Sequence, residues 1–412
     1  MDMMRPTTND DDDDATTSTS TDADSKAGDV AGGGQAELPL HLTEEILGRI
    51  SPLASARLAT VCKSWAAAVS ARLARPPPHL FLLVSRSKSD HGVVVSVQLD
   101  GAAGRACPPW VASPARLRPA DTSCLQCIGA MPSGRLAFAN WGFTGTVVLL
   151  NPATGAVQSI DTGKQRPVTV LAAGRRDAFI SVFYHRLVIW WRPAGGGAEE
   201  WSKWTVPASW RRTTNIFAAV NCDGCFYMLH LEGHMSMVDV TKPPPVSVQR
   251  LPVPSLLEVD PSDPPLPGCP PSEKVHLVES DGEVLLVRQL LAVKVVPAVF
   301  CDHREFPSIV GFEVFRLDMK GQRWTKVKTL GGDRALFVSR RSSFMMRTAE
   351  MAGCMSNCIY FVGRTRYCFK CWIDGGMSWG VYSMEDQEIL FEHVVSHQGR
   401  CMASLWFLPS VV

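Results

Sequence analysis

The sequence predicts a mainly β protein led by a small α module, and three observations carry that prediction. A helical apolar pattern is confined to residues 38–75. A proline run at 76–78 ends it. From His79 onward, short apolar strands alternate with glycine turns at a recurring interval. At 412 residues the chain is long enough for a large core and more than one domain.

Residues 1–36 read as a disordered acidic tail. They are rich in Asp, Thr, Ser, Gly and Ala, and Asp10 to Asp14 repel one another. Residues 37–75 form the helical module. Leu38-Pro39 is an extended lead-in, because proline disfavours helical backbone in the residue before it. His41 or Thr43 is expected to open the first helix, with Glu44 and Glu45 in its first turn, where the helix dipole favours negative charge. Leu42, Ile46, Leu47 and Ile50 recur at helical spacing and predict one apolar face. Ser51-Pro52 breaks that helix and starts the next, and the Ala-rich stretch after Trp65 favours a third. Three short helices cannot enclose this many large side chains, so the module reads as a docking element for another protein.

Arg75-Pro76-Pro77-Pro78 is stiff and cannot continue a helix, which places a domain boundary there. Residues 76–412 then repeat a unit of turn, apolar strand, turn and second strand. Unit starts at Ser133, Asp177, Asp223, Asp281 and Asn357 recur about every 45 residues early on, the interval of four-stranded propeller blades. The fold class is therefore a three-helix module followed by a β-propeller-like repeat domain, with one or two β-sandwiches as the alternative. The units diverge too far to fix a blade count. The proline-rich segment 242–271 reads as a long surface loop between two units.

Charge and composition exclude several classes. With 41 basic and 40 acidic side chains, no overall field draws in nucleic acid or anionic lipid. The start of the chain lacks the basic and apolar regions of a secretory leader. The most apolar stretch, 284–300, is interrupted by Arg288 and Lys294 and does not read as a membrane span. An intracellular protein, in cytoplasm or nucleus, is expected. Thirteen cysteines without framework spacing read as buried thiols.

Two residue sets resemble known families. Leu38-Pro39, Leu42, Ile46-Leu47, Arg49-Ile50, Pro52, Arg57 and Val61-Cys62-Lys63-Ser64-Trp65 look like an F-box. That family is a three-helix module that docks on the Skp-type adaptor of a cullin–RING ubiquitin ligase. The resemblance implies adaptor contacts at Leu38, Pro39, Leu42, Ile46, Leu47, Val61, Cys62 and Trp65. In the second half, segments including 217–239, 276–288, 312–318, 324–327, 330–337 and 353–361 resemble a plant F-box-associated domain, the domain of unknown function numbered 295. Together they imply a substrate-recognition subunit of an SCF-type (Skp–cullin–F-box) E3 ligase, with an unidentified target protein on the β domain and catalysis in a partner enzyme.

Other motifs bear on chemistry. Cys124-x-x-Cys127, Cys222-x-x-Cys225 and Cys368-x-x-Cys371 have zinc-ligand spacing, but Cys222 and Cys225 flank an Asp-Gly turn and the pairs lie far apart in sequence. His393 and His397 sit where Val394-Val395 favours a strand, and no His-Glu-x-x-His or phosphate loop occurs. Trp190, Trp191, Trp201, Trp204 and Trp210 suit either blade packing or target recognition. No catalytic residue, metal or cofactor is expected. The rivals are a binding module outside any ligase, and a Kelch-like propeller enzyme, which needs metal ligands or carboxylates at a central channel.

Overall fold

The computed structural model describes residues 38–50, 55, 58–74, 79–86, 89–96, 125–131, 133–140, 145–152, 156–163, 166–170, 178–183, 186–192, 201–206, 216–241, 247–256, 275–295, 305–351, 353–364, 377–395 and 400–408. The chain divides into two compact units, Met1–Leu38 and Pro39–Val412.

Helix α1 spans Leu40–Arg49 and α2 spans Lys63–Ala74. α1 begins earlier than expected. Pro39 caps it, and its carbonyl accepts the N–H groups of Leu42 at 3.0 Å and Thr43 at 3.1 Å. Proline suits this position because its fixed φ leads into the helix and its missing N–H would have no helical partner. Glu44 and Glu45 therefore fall in the second turn, and the first turn carries no acid. Ile50 ends the helix in extended backbone, φ −115° and ψ 157°, just before Ser51-Pro52. Between the helices, Ser55 and Leu58 are helical in conformation, while the rest of 51–57 lies outside the described residues.

The β domain opens with the hairpin β1 (His79–Arg86) and β2 (Ser89–Ser96). Four antiparallel sheets follow in chain order. The first holds β3 (Leu125–Ala130), β4 (Leu136–Asn140), β5 (Gly145–Leu150) and β6 (Val157–Gly163). The second holds β7 (Arg166–Val170), β8 (Ala178–Phe183), β9 (Arg186–Trp191) and β10 (Ser202–Thr205). The third holds β11 (Ile216–Cys222), β12 (Cys225–His230), β13 (Met235–Asp239) and β14 (Val248–Leu251). The fourth holds β15 (Val275–Ser280), β16 (Glu283–Val295), β17 (Glu305–Asp318) and β18 (Arg323–Val327).

A fifth sheet has five strands in the order β20-β19-β21-β22-β23, made of β19 (Arg334–Ser339), β20 (Ser342–Arg347), β21 (Cys358–Arg364), β22 (Met377–Ser383) and β23 (Glu388–Val395). The last strand, β24 (Arg400–Phe407), returns to pair antiparallel with β1, so a three-stranded sheet joins the two ends of the domain.

Side-chain alternation turns this sequence of sheets into a ring. Successive residues of a strand face opposite sides. Ile180 and Ile189 pack toward β11 and β12, whereas Phe179 and Val188 pack toward β4 and β5. The same division holds throughout. Among the described residues, six core clusters each join one sheet to the next, and the last joins the β24 sheet to the β3 sheet. The architecture is propeller-like: five sheets of four or five strands, closed by the three-stranded sheet of the chain ends.

Local chemistry explains the turns. Asp223-Gly224 joins β11 to β12 and Asp281-Gly282 joins β15 to β16, and all four residues have φ between 48° and 79°. Such two-residue turns need left-handed backbone at both positions, which Asp and Gly tolerate best. The predicted loop 242–271 needs correction, because it contains β14. Prolines flank that short strand, yet Val248 and Leu251 are buried while Gln249 and Arg250 are exposed, and the strand pairs with β13.

Candidate docking surface

The helical module divides its apolar residues between two neighbouring stripes. Thr43 and Leu47, four residues apart, point inward and are 5% and 1% exposed. Leu42 and Ile46, one position earlier in each turn, are 38% and 40% exposed. Leu38 and Leu40 stand out at 41% and 65%, and Val61, ahead of α2, at 64%. The Thr43 hydroxyl also reaches back to the Pro39 carbonyl at 3.4 Å, which ties the first turn to its lead-in. On α2, Val69 is buried, and Trp65 is half-buried. Cys62 is half-buried too, with its thiol 3.1 Å from the Ser64 hydroxyl.

Of the eight residues expected to meet an adaptor, Leu38, Pro39, Leu42, Ile46 and Val61 are exposed, and Cys62 and Trp65 are half-buried. Leu47 stands apart, because it lies inside the module. The single apolar face read from helical spacing is in fact two stripes, and the sequence pattern does not say which of them turns inward. Leu40, the most exposed leucine of α1, escaped the sequence reading because it precedes the apolar repeat.

Elsewhere the candidate motifs are occupied by packing. Trp190 is buried and stacks on Phe179 at 5.7 Å and 8°, and Trp201 packs on the same phenylalanine at 5.4 Å. The Lys203 ammonium and the Arg192 guanidinium each lie 5.5 Å from a tryptophan ring of this group, Trp190 and Trp201 respectively. Trp191 is buried in the next interface, while Trp210 lies outside the described residues. His393 sits in β23 against Trp379 at 5.2 Å, and His397 lies outside the described residues.

Cys222 and Cys225 face each other across the β11–β12 hairpin as free thiols. Burial, aided by Asp223 and Glu279, pushes the Cys222 thiol up to about 12, and burial raises Cys225 too. Both surroundings favour the neutral thiol. Cys127 is a buried thiol, and Cys124, Cys368 and Cys371 lie outside the described residues. Among the described residues, one set of metal-capable side chains does converge: His230, Glu232 and His234, whose ligand atoms all lie within 4.8 Å of one another.

Among the described residues no helix is long and apolar enough to cross a membrane.

Comparison with known proteins adds to this geometry. A family model described as "F-box domain" matches residues 36–72, and one described as "KIB1-4 beta-propeller" matches residues 111–383, more than half of the chain. The chain is 36% identical over 112 residues to F-box protein At2g26160 of Arabidopsis thaliana, covering 27% of this chain and 32% of that one. It is 25% identical over 191 residues to putative F-box protein At3g25750 of the same plant, covering 45% and 44%. The chain thus spans about a third of the first relative and under half of the second. Among solved structures, apo AztD from Citrobacter koseri aligns with a TM-score of 0.32 and 13% identity, over 65% of this chain and 62% of that one. The β-propeller domain of Cps50 (Swd1) from Myceliophteria thermophila aligns with a TM-score of 0.31 and 12% identity, over 68% and 89%. With its F-box match followed by a propeller match across most of the remaining chain, this protein belongs to the KIB1-4 β-propeller family.

Proposed function

We propose that the chain is the substrate-recognition subunit of an SCF-type E3 ubiquitin ligase. In this reading residues 1–36 are an acidic tail, residues 37–75 are a three-helix F-box, and residues 76–412 form the target-binding domain, an F-box-associated domain of the family numbered 295. The observation that carries the reading is the exposed stripe of Leu42 and Ile46 within the F-box match. Large aliphatic anchors are what a desolvated interface core uses. Leu38, Pro39, Val61, Cys62 and Trp65 extend that contact to a Skp-type adaptor and, through it, to the cullin. Leu47 shapes the stripe from beneath.

The chain itself is non-catalytic in this scheme. Its contribution is proximity, since holding a target lysine near activated ubiquitin raises the effective concentration. The protein acts inside the cell, in cytoplasm or nucleus, and needs neither nucleic acid nor membrane. The test is co-purification with a Skp-type adaptor and cullin, comparing wild type with Leu42→Ala/Ile46→Ala. The double variant is expected to lose both partners while keeping its circular dichroism. Undiminished adaptor capture by the variant would sink the docking assignment. Adaptor capture without cullin would sink the ligase assignment.

A further inference from the structure

The β12–β13 hairpin places a histidine at each end of a three-residue loop. His230 closes β12, Leu231-Glu232-Gly233 forms the loop, and His234 precedes β13. The His230 N–H donates to the His234 carbonyl at 3.0 Å, and the Gly233 N–H donates to the His230 carbonyl at 2.8 Å. Gly233 has φ 83°, the left-handed residue that a three-residue hairpin loop requires. Leu229 pairs with Met235 just behind the loop, so His230 and His234 are the next residues to oppose each other, and opposed residues share one face of a sheet. Their rings lie 4.2 Å apart and nearly parallel, at 9°. Glu232, at the loop tip, brings a carboxylate oxygen to 3.9 Å from His234 Nδ1.

We propose that His230, Glu232 and His234 bind a divalent transition-metal cation of the zinc class. Two imidazoles and one carboxylate form a donor set that zinc takes at about 2.0–2.2 Å, leaving a fourth position for water or a partner's side chain. The surroundings of His230 fit the role. Its Nε2 lies 2.6 Å from the Ser236 hydroxyl, a hydrogen bond of the kind that sets the tautomer and orientation of a metal-binding histidine. His230 is buried and fixed, whereas His234 is partly exposed and Glu232 exposed, so the last two can close on the ion. Closure must bring the ligand atoms to about 3.3 Å from one another, as tetrahedral bonds of that length demand. The site lies on the hairpin between the two middle strands of its sheet, with His230 also opposite Ile216 of β11. A scan for helical His-Glu-x-x-His spacing passes over it, because the turn, and not a helix, makes His-x-Glu-x-His converge.

The test is titration of the reduced, chelator-treated full chain with Co²⁺, followed by competition with Zn²⁺. The expected result is uptake of one equivalent with visible cobalt bands, without the intense sulfur-to-cobalt band that cysteine ligation produces, and with displacement by zinc. Glu232→Gln and His234→Gln are each expected to weaken uptake at least about tenfold, since even outer-shell losses at metal sites cost that much. Both positions reach solvent, so the variants should keep the wild-type melting curve and any loss of uptake reports the site. Absence of stoichiometric uptake, a sulfur-to-cobalt band, or uptake unchanged in both variants would overturn the proposal. None of these outcomes depends on adaptor docking.

Discussion

The helical module and the β ring treat their large apolar side chains in opposite ways. The ring buries Trp379, Trp406, Tyr360, Phe337 and Phe361 almost completely between its sheets. The module leaves Leu38, Leu40, Leu42, Ile46 and Val61 in contact with solvent. Each apolar Å² withheld from burial forgoes about 25 cal/mol, so exposed leucines do not help the module fold. The difference teaches where partner binding can draw its energy. In the ring, most large apolar side chains already hold sheet to sheet, and exposed ones such as Val157, Val310 and Leu390 lie on different strands, while in the module Leu38, Leu40, Leu42 and Ile46 stand close together in sequence and remain available.

The largest expected effect tests the ring side of that contrast. Phe337 stacks on Tyr360 at 4.6 Å and on Phe344 at 5.1 Å, and meets Trp406 edge-on at 5.6 Å. It therefore ties the fifth sheet to the strand that closes the ring. Phe337→Ala should cost about 3–5 kcal/mol, the lost transfer energy plus the cavity left behind. Urea unfolding followed by tryptophan fluorescence measures it. A cost near that of an ordinary surface substitution, under about 0.5 kcal/mol, would mean that these aromatic clusters do not hold the ring.

A second prediction concerns a polar contact between sheets. His276, on β15, is buried. The Gln289 side-chain amide donates to its Nε2 at 2.9 Å, so the neutral ring carries its proton on Nδ1, 3.3 Å from the Ser343 hydroxyl. Burial lowers its pKa to about 4, although a hydrogen bond with the Ser339 backbone opposes the shift. Between that value and the ordinary 6.5, the unfolded chain binds a proton that the folded chain does not. Stability from this residue is thus complete above pH 6.5 and is lost as pH falls toward 4. The loss from pH 7 to pH 5 should be roughly 2 kcal/mol in wild type, and His276→Gln should remove that part of the slope. Equal slopes in both proteins would show that His276 titrates freely.

Ring and module also differ in how far the sequence made them legible. The alternation of strands and glycine turns predicted a mainly β ring, because period-two patterning and Asp-Gly turns are local signals. The short strand β14 was lost among prolines, because its reading rests on only two buried residues. The pairing of β24 with β1 joins segments some three hundred residues apart, and no local pattern announces it. In the module, apolar spacing located α1 but merged Leu47 with Leu42 and Ile46. The split between inner and outer stripes depends on what packs against the helix. The His230–His234 approach was likewise hidden, since it needs the exact loop length of one hairpin.

The split within α1 gives the third prediction, smaller in stability but sharp in contrast. Leu47→Ala removes a buried side chain and should destabilise the module by about 2 kcal/mol or more. Ile46→Ala, one residue away, should change stability by under about 0.5 kcal/mol and weaken adaptor binding by about 2 kcal/mol, the cost of losing an interface anchor. Calorimetric binding and thermal melts on both variants separate the roles. Equal stability losses would mean that the two stripes are one core. Equal binding losses with intact melts would place Leu47 in the interface after all.

The smallest expected effect lies on the exposed side of the ring. Glu313, on β17, is held between Arg288 of β16 and Lys326 of β18, with the Lys326 ammonium at 2.7 Å. Burial alone would raise the Glu313 pKa, but hydrogen bonds from Lys326 and Arg288 outweigh it and keep the carboxyl below its usual range. Lys326 is itself 54% exposed, so water and salt screen its pairing. Lys326→Ala should cost only about 0.2–1 kcal/mol in dilute buffer, the range for exposed pairs. In about 1 M salt the cost should shrink further, because the screening length falls to roughly 3 Å. A loss that persists unchanged at high salt would assign the contribution to the aliphatic stem of Lys326 packing on the sheet, not to its charge. Even this outer face would then be held by apolar contact, and the contrast between ring and module would be sharper.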